Sequence, residues 1–108
     1  RKLSFKIGIA AHRGLGKCFI KGKDFKAALE PLDKALILAE VHADAALQEV
    51  ASMLVGNVNL GLGDTDEAME MYQRALTLAQ DNRSTFGECK AYCCIGNCHY
   101  ARKELKEA

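Results

Sequence analysis

The stretch Lys34-Ala35-Leu36-Ile37-Leu38-Ala39-Glu40 returns forty residues later as Arg74-Ala75-Leu76-Thr77-Leu78-Ala79-Gln80, almost residue for residue. A fixed period of that length marks a chain built from stacked, self-similar units. The same offset superposes Gly16, Gly56 and Gly96, each preceded by a branched aliphatic residue: Leu15, Val55 and Ile95. Ala28, Ala68 and Ala108 form another column, and Ala35 with Ala75 a further one. Phe25, Ala28, Leu29, Leu32, Ala35, Leu36 and Leu38 largely follow helical spacing, and no stretch alternates strictly enough to make a strand.

Side chains suited to cap helices recur with the same period. Ser4, Asp44 and Ser84 make one column and Asp24, Asp64 and Glu104 the other. Their oxygens can accept from the free N–H groups of a first helical turn, and Asp64 with Glu67 has the spacing of a capping box. Two helices per unit follow: first helices over about residues 5–21, 45–61 and 85–102, second helices over about 25–41 and 65–80. The expected organisation is one domain of about two and a half units, 4–43, 44–83 and a truncated 84–108. Glycine inside a helix costs about 0.5–1 kcal/mol against alanine, so three at one repeated position imply close backbone approach. Ala28 and Ala68 are the expected small counterparts on the facing helices. Pro31 falls inside the second helix of the first unit, where it deletes a hydrogen bond and is expected to kink or loosen that turn.

Composition agrees with one compact domain. Of 108 residues 49% are hydrophobic, 27% charged and 6% aromatic. Fifteen Lys and Arg against fourteen Asp and Glu leave a net charge of +1, which gives no global field toward nucleic acid or an anionic membrane. No apolar run approaches the ~20 residues of a membrane-spanning helix, and Arg1-Lys2 does not open a signal peptide. The chain reads as a piece of something longer. Its five cysteines are odd in number, and Cys89, Cys93, Cys94 and Cys98 crowd together, which suits free thiols in a reducing, cytoplasmic setting better than disulfides.

The pattern resembles the tetratricopeptide repeat, whose signature is a Leu-Gly pair, an aromatic three residues on, then Ala, a large apolar residue and Ala. The first unit supplies Leu15-Gly16, Phe19, Phe25, Ala28, Leu32 and Ala35. The second supplies Val55-Gly56, Gly63-Asp64, Ala68, Tyr72 and Ala75, with Asn59 where an aromatic is usual; the third supplies Tyr92, Ile95-Gly96, His99 and Ala108. The forty-residue period, Gly56-Asn57, Gly96-Asn97 and the run Gly87-Glu88-Cys89-Lys90-Ala91-Tyr92 are similar to the long repeats of the Pins-type G-protein-signalling modulators, which are cell-polarity scaffolds.

That resemblance implies an all-α, right-handed superhelical solenoid of antiparallel hairpins, whose first helices line a concave groove that takes a peptide. Carried over onto this sequence, the groove column after each glycine holds Lys17, Asn57 and Asn97, and neighbouring positions hold Arg13, Lys21 and Lys90. The amides of Asn57 and Asn97 offer both donor and acceptor to a peptide backbone, and the four basic residues imply an acidic partner segment. Arg13 and Lys90 also fit two positions of the carboxylate clamp of some relatives, but Leu54 and Cys94 stand where that clamp wants polar and basic groups.

The expected function is therefore a non-enzymatic adaptor that binds a protein partner, with no cofactor and no metal. Two other readings stand beside it: a structural segment that self-associates through uncapped terminal helices, and a thiol-based metal or redox sensor. For the latter, Cys89/Cys93 and Cys94/Cys98 are i,i+4 pairs beside His99. One straight helix cannot wrap a tetrahedral zinc, so packing is the expected role of these thiols. His99 is expected to be buried and hydrogen-bonded, and Met53, Met69 and Met71 are expected in the core. His12 and His42 have no triad partners at a suggestive spacing. Gly14-Leu15-Gly16-Lys17 lacks the strand and full spacing of a phosphate loop.

Overall fold

A computed structural model describes the backbone of residues 2–22 and 24–107 and the side chains of 10–18, 20–22 and 24–103. Among the described residues five helices follow one another: α1 Lys2–Lys21, α2 Phe25–Val41, α3 Ala45–Gly61, α4 Thr65–Asp81 and α5 Thr85–Glu107. Each packs antiparallel on the next, and α1 and α5 also touch α3 directly, so α1, α3 and α5 form one layer and α2 and α4 the other. The result is an all-α solenoid segment of about 50 × 31 × 18 Å.

The turns show why the chain folds back where it does. Ala43, Gly63 and Arg83 all have positive φ, at 52°, 85° and 55°, in a column spaced by twenty residues. At each, two backbone bonds close the preceding helix: Ala43 N–H to Glu40 and Asp44 N–H to Ala39, Gly63 to Leu60 and Asp64 to Asn59, Arg83 to Gln80 and Ser84 to Ala79. This is the Schellman arrangement, with a left-handed residue just past the helix end. The next residue then caps the following helix. Asp44 accepts from Leu47 N–H at 3.1 Å, Asp64 from Glu67 N–H at 3.1 Å and Ser84 from Gly87 N–H at 3.1 Å, while Asp24 does the same for Ala27 at 3.2 Å. One residue thus ends one helix with its N–H and starts the next with its side chain. Asp64 N–H is already donated to Asn59, so Glu67 has no reciprocal bond to make and the expected capping box forms only by half.

Burial repeats with the sequence. Ala28, Leu32, Ala35 and Ala39 on α2 and Ala68, Tyr72, Ala75 and Ala79 on α4 are all 0% exposed, eight positions related pairwise by the period. Central α3 is covered from both sides and buries Ala51, Met53, Val55 and Val58 along with Ser52 and Asn59. Full burial of a side chain such as Leu32 or Val58 contributes about 1.5–3 kcal/mol. Met53, Met69 and Met71 lie in the core as expected. Buried Asn59, in the place of the usual aromatic, donates to Val55 O at 3.1 Å.

Several expectations need correction. A Cβ on Gly16 would stand 2.5 Å from Leu32, and one on Gly56 2.6 Å from the Tyr72 ring, so the residues that make use of the missing side chains lie one turn beyond Ala28 and Ala68. The third column member differs: among the described residues, nothing outside the backbone of α5 itself lies within 4 Å of a Cβ on Gly96. Helix α2 runs unbroken through buried Pro31. Ser4 lies inside α1 rather than ahead of it, and α5 continues through Glu104 instead of turning near residue 102. The side chains of Ser4, Phe19, Glu104 and Ala108 lie outside the described residues.

Candidate functional site

The candidate site lies on the layer formed by α1, α3 and α5. Between the three helices lies a cavity of about 280 Å³, and it gathers Lys17 from α1, Asn57 from α3 and Lys90 from α5, three of the expected groove residues. Its walls include Val50, Met53, Leu54 and Phe86, so the floor is apolar and the basic groups stand at its edges. The spacing Ala46, Val50, Met53, Leu54, Asn57 is one helical stripe, and Phe86 and Lys90 occupy the positions of Ala46 and Val50 one period later. The Lys90 ammonium lies 5.9 Å from the Phe86 ring centroid, a cation–π contact that orders both side chains at the rim.

A second cavity, of about 370 Å³, is lined by Ala10, Arg13, Asp44, Ala46 and Leu47. Ala46 belongs to both, so the two adjoin along the inner face. Half-buried Arg13 makes no hydrogen bond through its buried Nε among the described residues. Lys21 and Asn97 are exposed and line neither cavity. The inner wall is less uniformly basic than the sequence suggested, because Asp44 and Glu49 also stand on it.

Asn57 is half committed. Its Oδ1 accepts from the Tyr72 hydroxyl at 2.6 Å, and the Cys94 thiol lies 4.0 Å from the same oxygen. Tyr72 is fully buried, and burial raises its pKa, so the phenol stays protonated and donates. The Asn57 acceptor is thereby used within the fold, and the amide NH2 is what the groove has to offer.

Glu49 was not among the residues singled out from the sequence. It is 8% exposed, its Oε1 makes no hydrogen bond among the described residues, and it lines the first cavity. The carboxylate reaches α5 because Gly87 has no side chain: Glu49 Oε1 occupies the space that a Gly87 Cβ would need. Burial raises the Glu49 pKa. The legible signal was an acidic residue on the same stripe as Ala46, Val50 and Met53.

The cysteines divide. Cys98 is buried and donates to Thr65 O at 3.3 Å, Cys94 is half-buried in the core, and Cys89 and Cys93 are exposed, so packing accounts for two of the four. Burial raises the pKa of Cys94 and Cys98, against a lowering influence of Lys90 on the first and Arg102 on the second. Among the described residues no three His, Cys, Asp or Glu side chains converge as a metal would require. His99 is exposed, contrary to the expectation of a buried histidine. No helix among the described residues is long and apolar enough to cross a membrane.

Comparison with known proteins bears on what this architecture is. Residues 51–82 match the tetratricopeptide repeat family. The chain is similar to the 43 kDa receptor-associated protein of the synapse from Gallus gallus, at 33% identity over 85 residues, which is 79% of this chain and 21% of that protein. It therefore spans about a fifth of that relative's length. Its fold is similar to the crystal structure of the TPR domain of Arabidopsis FLU, with a TM-score of 0.86 at 22% identity, over 94% of this chain and 86% of the other.

Proposed function

For a chain that carries a tetratricopeptide repeat and shares the fold of a tetratricopeptide repeat domain, a protein-interaction architecture, we propose an adaptor role in which the inner face of α1, α3 and α5 binds an acidic segment of a partner protein. The observation that supports this most is the convergence of Lys17, Asn57 and Lys90, from three different helices, on one cavity with an apolar floor. Arg13 extends the same charge into the adjoining cavity. Each exposed ion pair to an acidic segment adds about 0.2–1 kcal/mol, and much of its effect is on association rate and salt sensitivity. Lys21, at the C-terminal end of α1, and Asn97, midway along α5, are exposed and would meet a partner only beyond the cavities. The adaptor acts without catalysis, in the reducing cytoplasm, where its free thiols persist. Helices of 17 residues joined by turns at twenty-residue intervals support the long-repeat variety, similar to the Pins-type modulators.

Charge reversal tests the reading. With Arg13, Lys17 and Lys90 all changed to Glu, capture of a partner by the parent protein should fall by at least tenfold at low salt. Unaltered capture would refute the groove assignment.

A second reading is favoured by α5, where Tyr92 is 56% and Tyr100 66% exposed on the face that also carries Gly96. Such a stripe suits self-association through α5. Light scattering over a concentration series separates the two, because self-association makes the apparent mass climb.

A further inference from the structure

The cavity between α1, α3 and α5 contains one group that general charge attraction does not explain. Glu49 is more than nine-tenths buried, and its Oε1 has no hydrogen-bond donor among the described residues. The N–H of Gly87, against which Oε1 packs, is taken by Ser84 Oγ. A buried acceptor left without a donor is costly, and the cost is recovered when a ligand supplies one. Glu49 itself lines the cavity and the terminal torsion of a glutamate is soft, so a donor that enters the cavity meets a carboxylate able to turn to it.

Three features limit what that donor can be. The apolar lining of Val50, Met53, Leu54 and Phe86 requires an apolar body. The two ammonium groups at the rim, Lys17 and Lys90, repel a cationic donor, which excludes lysine and arginine. A volume of about 280 Å³ accommodates one large side chain and not a folded element. A neutral donor at the tip of a large apolar body describes the phenol of tyrosine and the indole of tryptophan, residues that bury area cheaply and still need a polar partner for one atom.

We propose that this cavity takes a tyrosine or tryptophan side chain from an acidic segment of the partner, its ring lying on the apolar floor and its O–H or N–H donating to Glu49. This rests on the adaptor reading above and adds to it the identity of the anchor residue. The flanking acidic residues of the segment pair with Lys17 and Lys90, and the Asn57 NH2 is placed to donate to a backbone carbonyl beside the anchor. Glu49 becomes the specificity-determining group, separating tyrosine from phenylalanine by whether its oxygen is satisfied.

The test uses pools of immobilised peptides with a fixed central residue and acidic, degenerate flanks. The tyrosine and tryptophan pools should retain the chain about tenfold better than the phenylalanine and leucine pools, which is what one unpaired buried group exacts. Glu49→Met should abolish that preference and bind the phenylalanine pool at least as well as the native chain does. Glu49→Gln, which keeps an acceptor oxygen, should retain it. Equal retention of tyrosine and phenylalanine pools by the native chain, or a tyrosine preference that survives Glu49→Met, would overturn the anchor assignment while leaving the acidic groove standing. Failure of every acidic pool to exceed pools with uncharged flanks would overturn the groove itself, and the anchor with it.

Discussion

Gly56→Ala and Gly96→Ala are the same substitution at two positions of one sequence column, and the structure gives them opposite signs. Removing an interior helical glycine in favour of alanine gains about 0.8–1.0 kcal/mol from backbone entropy. At Gly96 nothing among the described residues opposes that gain, because outside the backbone of α5 itself none of their atoms lies within 4 Å of the new Cβ. At Gly56 the Cβ would stand 2.6 Å from Tyr72 Cε1 and 2.7 Å from Cδ1. That ring is fully buried and tethered by its hydroxyl to Asn57, so it cannot swing aside as the end of a flexible chain would. Overpacking of this kind costs about 1–3 kcal/mol and should exceed the propensity gain. We expect Gly96→Ala to raise stability by about 0.5–1 kcal/mol and Gly56→Ala to lower it by about 1–2 kcal/mol. In a domain of this size each kcal/mol moves the midpoint by about 4–8 °C. Urea and thermal unfolding followed by far-UV circular dichroism measure both. Two stabilised variants, or two destabilised to the same extent, would show that the columns do not differ in packing as described.

Three further outcomes follow from particular residues. Ala43 and Arg83 hold left-handed backbone that glycine adopts freely, so Ala43→Gly and Arg83→Gly should each stabilise by about 0.5–1 kcal/mol, and Gly63→Ala should cost about 1 kcal/mol, in the same unfolding assay. Glu49 has its pKa raised by burial in the folded state, so its ionisation opposes folding: the destabilisation is absent well below the unfolded value of 4.5 and grows as pH rises through the folded value. Glu49→Gln should therefore be more stable than the native chain at neutral pH, with the advantage vanishing in acid, as unfolding curves at several pH values will record. Finally, Cys18, Cys89 and Cys93 should react at once with a thiol reagent under native conditions and Cys98 only on unfolding, as read by mass spectrometry of the labelled peptides.

How far the sequence discloses this molecule varies by position. The forty-residue period locates four of the five helix starts and the buried columns, because capping and apolar spacing are local and repeat with the chain. The Gly16–Leu32 and Gly56–Tyr72 contacts are not local: which residue of the facing helix fills the space depends on the offset at which two helices pack, and Ala28 and Ala68 lie one turn away from it. Three residues that line the first cavity, Lys17, Asn57 and Lys90, are among those the sequence singles out, the first two each one residue past a repeat glycine. Glu49 breaks the repeat, with Ile9 and Cys89 in its column, and its burial arises from the absence of a side chain on Gly87 nearly forty residues away. The use of the Asn57 acceptor by Tyr72 is likewise a contact between hairpin partners that no spacing rule reveals.

The central claim is that a partner's acidic segment lies along the layer of α1, α3 and α5. Titrating the isotope-labelled chain with the retained acidic peptide pool and following amide chemical shifts tests it residue by residue. The account predicts perturbations gathered on Lys17, Glu49, Val50, Asn57, Phe86 and Lys90, with the exposed residues of α2 and α4, such as Lys34 and Gln73, unmoved. Shifts concentrated on α2 and α4, with the cavity residues silent, would contradict it.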